Sequence, residues 1–276
     1  MMGTQDPLTD LPPPSRFDLD ELSNFSFHGL HTPPPPYISL DDHRHGLGQL
    51  PLRPSILIVS ASSASFHLFH NLHDKLPLGS IVLPPSPSPP LPDSSSPPQD
   101  PSLRSEIVCD LCYLSKDEGK TSAVVMSVPK SVPEERTYAL AKLLLDSIVP
   151  ERLLILASVQ MENFRGRLTA DDHAIFRMET ATQRSEKGAD RTNLEDFPYF
   201  PSGSVVSGLP AAILTRCHIH GIKARALFSW PDSGPSAPTR LVSALKRFSE
   251  TKNTDFSSSL TVPFRKKSVS DLDIYL

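Results

Sequence analysis

Two continuous hydrophobic runs in the sequence predict strands that are buried on both faces. Residues 55–59 (SILIV) follow Pro54, and residues 151–157 (ERLLILA) follow Pro150. Uninterrupted apolar runs of this length are typical of strands in a sheet that carries helices on both faces, as parallel sheets do.

Apolar residues at helical spacing predict four helices. The clearest begins after Ser131, where a capping hydroxyl, Pro133 in the first turn and Glu134 together resemble a capping box. Pro150 ends this helix because proline cannot continue it. The same spacing predicts the other three helices over residues 62–76, about 205–220 (closed by Gly221) and about 238–248.

Shorter apolar stretches complete the pattern and define the fold class. Because helices alternate with buried strands, we expect a single three-layer α/β domain, with a mostly parallel sheet flanked by helices. A polar turn over 116–120 joins two of the shorter strands. These strands are expected at residues 81–83, 106–114, 122–128, 174–181 and 224–230.

Proline divides the 276-residue chain into regions. The chain has 30 prolines against 12 glycines, and 9 of the prolines lie within residues 84–101. Such a segment suits neither a helix interior nor a sheet, so we expect an extended insertion. Residues 1–50 are predicted to be a disordered N-terminal segment, 51–250 the α/β domain, and 251–276 a flexible C-terminal tail.

Charge and hydropathy narrow the classes of partner. Formal net charge is −4, from 27 basic and 31 acidic residues, and the only dense basic patch is Arg265-Lys266-Lys267. We therefore expect no nucleic-acid partner. No apolar stretch approaches the ~20 residues of a membrane span, so no membrane partner is expected either. Three cysteines and no apolar leader favour a cytoplasmic or nuclear protein.

The clustered cysteines and histidines are better explained as structural or surface residues than as metal ligands. Cys109 and Cys112 have C-x-x-C spacing without a second pair, and they lie in a predicted strand, so they are interpreted as structural cysteines. The histidines fall every third residue or at a helix end, which favours surface positions over a metal site. They are His67, His70, His73, His218 and His220.

Two polar segments are candidate ligand sites. Gly203 and Gly208 lie in a GSVVSG sequence that lacks the spacing of a nucleophile elbow or a phosphate loop. A tight turn explains them better, although a small anion at the following helix terminus is an alternative. Asp171-Asp172-His173 is interpreted as a solvated loop rather than a metal site. We therefore predict no catalytic residues, no metal and no cofactor.

The sequence ends on Ile274, Tyr275 and Leu276, after a polar stretch that carries Asp271 and Asp273. A flexible tail with an aliphatic and an aromatic anchor can order on entering a partner's pocket. A terminal carboxylate offers that pocket an anionic group. The alternative is a tail that folds back on the body or has no role.

These last residues resemble the hydrophobic–tyrosine–any (HbYX) motif that proteasome activators and assembly chaperones insert between proteasome α subunits. Residues 207–214 (SGLPAAIL) and the strand after them are similar to the core of the proteasome assembly chaperone 1 family. The order of elements over roughly residues 52–276 is also similar, and the proline-rich insertion resembles plant-type members.

The resemblance implies a non-enzymatic chaperone with a fold related to nucleoside-phosphorylase-like enzymes. It implies heterodimerisation with proteasome assembly chaperone 2 and binding to α subunits to promote α-ring assembly. Ile274 would be the hydrophobic anchor, Tyr275 the aromatic one, and Leu276 the source of the carboxylate. Two alternatives stay open: an α/β enzyme or binding protein for a nucleoside-like or small anionic ligand, and a proline-rich adaptor.

Overall fold

A computed structural model gives the architecture of the chain. It describes residues 33–41, 50–70, 75–85, 106–114, 123–129, 131–168, 172, 174–186, 197–230 and 237–250.

Among the described residues, eight strands form one sheet in the order β1-β3-β4-β5-β2-β6-β8-β7. The strands with continuous apolar sequences occupy its centre, because only there are both faces covered. Their bounds are β1 Tyr37–Leu40, β2 Ile56–Ser60, β3 Leu76–Leu83, β4 Ile107–Leu114, β5 Ala123–Ser127, β6 Arg152–Ser158, β7 Ala174–Glu179 and β8 Lys223–Trp230.

In the described part of the chain, five helices and one 3₁₀ turn accompany the sheet, and all these elements fall in one compact unit. No helix in the described part of the chain has the length and hydropathy needed to span a membrane. The bounds are α1 Ser63–His70, α2 Glu134–Ser147, a 3₁₀ turn Met161–Asn163, α3 Ala181–Arg184, α4 Gly208–Ile219 and α5 Ala237–Glu250.

Helices cover the sheet on two faces and create two hydrophobic clusters. On one face α2 and α4 pack together, with Leu144 and Ile213 fully buried in the larger cluster. On the other face α1 and α5 contribute Leu68 and Leu245 to the smaller cluster. The predicted α/β domain with helices flanking a sheet is therefore confirmed.

The prediction of a mostly parallel sheet was wrong, because the sheet is mixed. Of the seven strand pairings, the three among β5, β2, β6 and β8 are parallel and the other four are antiparallel. The reason lies in the connections. Parallel neighbours need a long crossover, usually a helix, whereas the eight-residue connection between β4 and β5 joins antiparallel strands.

Strand β1 lies inside the segment 1–50 for which the sequence predicts disorder. It pairs antiparallel with β3, placing Ile38 opposite Ile81 and Leu40 opposite Gly79. Ile38 and Leu40 pack against the larger hydrophobic cluster, while Tyr37 is exposed. This edge strand is stabilised by tertiary contacts that a four-residue pattern does not reveal. The division of the remaining chain into segments stays a prediction.

Helix boundaries depart from the sequence expectations at two places. The helix expected over 62–76 is described over Ser63–His70, and Leu76 already belongs to β3. The capping box expected at Ser131 is absent: α2 has Pro133 as its N-cap and no side-chain capping hydrogen bond. A proline N-cap has no side-chain oxygen to accept from the first turn, and the Arg136 N–H donates instead to the carbonyl oxygen of Pro133 at 2.9 Å.

Candidate functional site

A cavity of about 340 Å³ opens at the carboxyl edge of the sheet. Its lining comes from segments that follow parallel strands: 61–63 after β2, 128–129 after β5 and 158–160 at the end of β6. Here α1 leaves β2 towards one face and α2 leaves β5 towards the other. In open α/β sheets such a switch point leaves a crevice in which ligands bind.

The inner part of the cavity is apolar and aromatic. Phe228 of β8 is 1% exposed, and its ring centroid lies 5.1 Å from that of Phe200. Leu209 and Val159 line the same part, and both are buried. The wall continues behind the lining, where Phe176 meets Phe200 edge-on at 6.1 Å. A close-packed aromatic wall of this kind keeps the cavity shape fixed.

The serine side chains at the end of β2 form hydrogen bonds within the fold. The Ser65 backbone N–H donates to Ser62 Oγ at 3.3 Å, which caps the N-terminus of α1. Ser60 Oγ donates to Ser65 Oγ at 2.9 Å, and Ser65 Oγ also lies 3.2 Å from the carbonyl oxygen of Leu156. Ser62 lines the cavity, yet its hydroxyl is engaged in this network.

The helices α2 and α4 also begin at the cavity, and neither has a side-chain cap. Ser207 is the N-cap of α4, but its side chain makes no capping hydrogen bond. Gly208 follows with φ +66°, a left-handed conformation that suits glycine and turns the chain into the helix. Ser131 and Glu134, at the start of α2, line the same cavity. Uncapped first turns leave backbone N–H donors without side-chain acceptors there.

Among the residues singled out by sequence, Gly203 and Gly208 belong to this region. Both have positive φ, which bears out the tight turn, and Gly208 lines the cavity. Sequence reasoning pointed to this loop and missed its counterpart at Ser131 and Val132. The available signal was that each segment precedes a helix that leads into a predicted strand of one parallel sheet, and such helices begin at the carboxyl edge of the sheet.

The cysteines lie on opposite faces of β4. Cys109 packs in the larger cluster and pairs with Ile81, whereas Cys112 is half-buried opposite Val125. Burial raises the pKa of Cys109 to about 12, with the charge of Asp110 adding to the effect. Both thiols are free. Their separation agrees with a structural interpretation.

The histidines and acidic loop residues form no metal cluster in the described part of the chain. His67 and His70 lie on α1 with Phe66, whose ring stacks on His70 at 5.3 Å. His218 falls in the last turn of α4, as expected. His73, Asp171 and His173 lie outside the described residues.

The predicted protein-binding residues Ile274, Tyr275 and Leu276 also lie outside the described residues, as does most of the proline-rich insertion. Their roles stay predictions. The last helix, α5, is described as far as Glu250, which is 26 positions before the end of the sequence.

Comparisons with known proteins give matches at the level of structure. No protein-family model matches the sequence, and no curated protein matches it either. The chain is similar to the crystal structure of PbaB from Pyrococcus furiosus, an archaeal proteasome activator, with a TM-score of 0.53 and 11% identity. The match covers 82% of this chain and 93% of PbaB. It shows that the two chains share a fold.

Two further structures align with lower scores. PbaA from Pyrococcus furiosus, an archaeal homolog of proteasome-assembly chaperone, has a TM-score of 0.49 and 15% identity, covering 78% of this chain and 82% of PbaA. Rv2125 of Mycobacterium tuberculosis, a proteasome-assembly chaperone homologue, has a TM-score of 0.44 and 12% identity, covering 71% of this chain and 84% of Rv2125.

Proposed function

We propose that this chain is a proteasome assembly chaperone that promotes assembly of the core-particle α-ring. The observation that carries the proposal is the fold shared with PbaB, described as an archaeal proteasome activator, over 93% of that protein. The sequence supports it independently, because Ile274, Tyr275 and Leu276 match the motif with which proteasome activators and assembly chaperones engage α subunits.

In this proposal the tail is the docking element and the α/β domain is the body that carries it. Ile274 and Tyr275 fill apolar space in a pocket between two α subunits, and the Leu276 carboxylate pairs with a basic group at its base. Asp271 and Asp273 complement a basic pocket rim. The role is one of binding, without catalysis or a cofactor.

A second subunit completes the proposed complex. We expect this chain to form a heterodimer with proteasome assembly chaperone 2, in the cytoplasm or the nucleus. Because the tail and the dimer surface are separate regions in this proposal, a change in the motif should leave dimerisation intact. That separation makes the two interactions testable in one experiment.

Affinity purification of the full chain, co-expressed with its proposed partner, tests the docking role. Tyr275→Ala and removal of Leu276 should each lower recovery of α subunits about 30-fold, the effect of losing an anchor worth about 2 kcal/mol. Tyr138→Ala is the matched control, since Tyr138 is 63% exposed on the folded body. It should leave recovery unchanged.

Recovery of the partner subunit in the same purification shows whether a variant has lost docking or has failed to fold. Its recovery should be equal for the unmodified chain and all three variants. If both tail variants retain α subunits at the level of the unmodified chain, tail docking is wrong. If the unmodified chain captures no α subunits, the assembly role itself is wrong.

A further inference from the structure

We propose that the cavity at the carboxyl edge of the sheet binds an uncharged small molecule that combines an apolar ring with hydroxyl or carbonyl oxygens. This site is separate from the proposed docking tail and does not depend on it. It would give the protein a small-molecule ligand in addition to its macromolecular partners.

Size and shape favour a ring-containing ligand. A volume of about 340 Å³ falls within the range of small-molecule sites, which extends from roughly 300 to 1,000 Å³. The aromatic side chains of Phe200 and Phe228 line it at a fixed separation of 5.1 Å between centroids. Leu209 and Val159 extend the apolar surface. A planar or puckered ring buries its faces against such a wall.

Polar groups at the rim favour oxygen atoms on that ring. Ser63, Ser131 and Ser207 line the cavity, and each hydroxyl can donate and accept. The first turns of α2 and α4, which lack a side-chain cap, add backbone N–H donors beside these hydroxyls. Hydroxyl and carbonyl oxygens suit this mixture, because they can accept from the backbone groups while hydroxyls also donate to serine.

The charge at the rim selects against an anionic ligand. Glu134 lines the cavity at the start of α2, and Glu135 is its neighbour in the same first turn. A carboxylate at the mouth repels a phosphate or carboxylate that enters it, offsetting the attraction of the helix N-termini. The structure thus favours an uncharged ligand over the small anion that the glycine loop alone suggests.

Paired probes that differ in one charged group test the proposal. Adenosine and phenyl β-D-glucopyranoside are the uncharged probes, and adenosine monophosphate and phenyl β-D-glucuronide are their charged counterparts. Titration calorimetry on the full chain should give at least one uncharged probe a dissociation constant about 10-fold or more below that of its charged counterpart, a difference of about 1.4 kcal/mol. No binding by either uncharged probe, or tighter binding of the charged ones, would overturn it.

A blocking substitution then locates the site. Val205 lines the cavity and is 58% exposed, so Val205→Trp fills the mouth without disturbing the core. It should weaken binding of the uncharged probe about 10-fold or more. Ile219→Trp is the matched control at the opposite end of α4, where Ile219 is 71% exposed. Equal affinities for these two variants would show that the probe binds elsewhere.

Two further variants separate this inference from the proposed function. Glu134→Gln removes the negative charge at the mouth and should narrow the difference between adenosine and its monophosphate. An unchanged difference would contradict the role given to that charge. Tyr275→Ala should leave adenosine binding intact, and a loss of binding in this variant would contradict the separation of the two sites.

Discussion

Arg225 donates a hydrogen bond from Nε to Oε1 of Glu179 at 2.6 Å, between residues directly opposite each other on β8 and β7. The side chains are only 8% and 4% exposed. A second guanidinium, that of Arg177, has Nη1 3.6 Å from the same oxygen and stacks over the Tyr199 ring at 4.2 Å. This buried group of charges fixes the register of the last strand pair.

Removing the carboxylate from this pair should destabilise the fold strongly. Glu179→Ala leaves Arg225 and Arg177 buried without their shared acceptor, and breaking a buried ion pair from one side costs about 3–5 kcal/mol. Urea unfolding should show this loss, whereas Glu162→Ala, at an exposed position, should change the free energy of unfolding by less than about 0.5 kcal/mol. Similar values for the two variants would contradict a structural role for the pair.

A second ionic group, which is partly buried, predicts a pH dependence of stability. Arg152 holds Glu186 through two hydrogen bonds of 2.8 and 3.0 Å, and Lys223 donates to the same carboxylate at 2.9 Å. Burial alone would raise the pKa of Glu186, but the hydrogen bond from Lys223 and the charge of Arg152 outweigh it. The net pKa is therefore lowered.

A lowered pKa in the folded state means that the ionised carboxylate stabilises the fold. The contribution is fully present above the unfolded carboxyl pKa of about 4.3 and is lost as the pH falls below it through the folded value. The difference in unfolding free energy between the unmodified chain and Glu186→Gln should therefore shrink between pH 5 and pH 3. In a Lys223→Ala background the same comparison should depend less on pH. Equal pH dependence in both backgrounds would rule out Lys223 as a cause.

The centre of the sheet could be predicted from the sequence, because a strand that is buried on both faces has a continuous run of apolar residues. Residues 55–59 and 151–157 were expected to be doubly covered strands, and β2 and β6 are adjacent, parallel and almost entirely buried. The end of α4 was also predictable, because a glycine just past a helix commonly adopts the left-handed conformation that ends it. In the structure Gly221 has φ +67°, and the Ile222 N–H donates to the carbonyl oxygen of Cys217.

The edges of the sheet and the cavity could not be predicted in this way. Strand β1 has four residues with alternating burial, and only its pairing with β3 distinguishes it from a proline-flanked loop. The cavity draws Ser131, Val205 and Phe228 from distant parts of the chain. None of these residue types is distinctive on its own, so their proximity is a property of the topology.

Thiol reactivity should follow burial in the folded protein. Burial raises the pKa of Cys217 to about 12, with Arg216 partly offsetting it, and Cys109 reaches a similar value. A rise of three pKa units lowers the thiolate fraction about 1,000-fold at neutral pH. Iodoacetamide should therefore modify the half-buried Cys112 first, as peptide mass spectrometry can resolve.

Denaturation and one substitution provide the controls for this labelling. In urea all three cysteines should react at similar rates, and Cys112→Ser should remove the fast phase in the native protein. Native labelling of Cys109 as fast as that of Cys112 would mean that β4 is not packed against the larger cluster as described.

Gly79 should be the residue on which the attachment of β1 depends most. Its φ is +150°, and a side-chain carbon there would collide with the carbonyl oxygen of Ser39 and the Cα of Leu40. Gly79→Ala must therefore move the two strands apart or strain the backbone, at a cost of about 1–3 kcal/mol. Ser80→Ala, one position along β3, introduces neither problem and is the matched control.

Amide hydrogen exchange tests this attachment locally. Gly79→Ala should remove the protection of amides in Tyr37–Leu40 that pair with β3, while the central strand β6 keeps its protection. Native-like protection of β1 in this variant would show that the close approach at Gly79 is not required. If protection is lost only there, β1 is a separately attached edge strand, and the rest of the sheet is stable without it because its core lies in β2, β5 and β6.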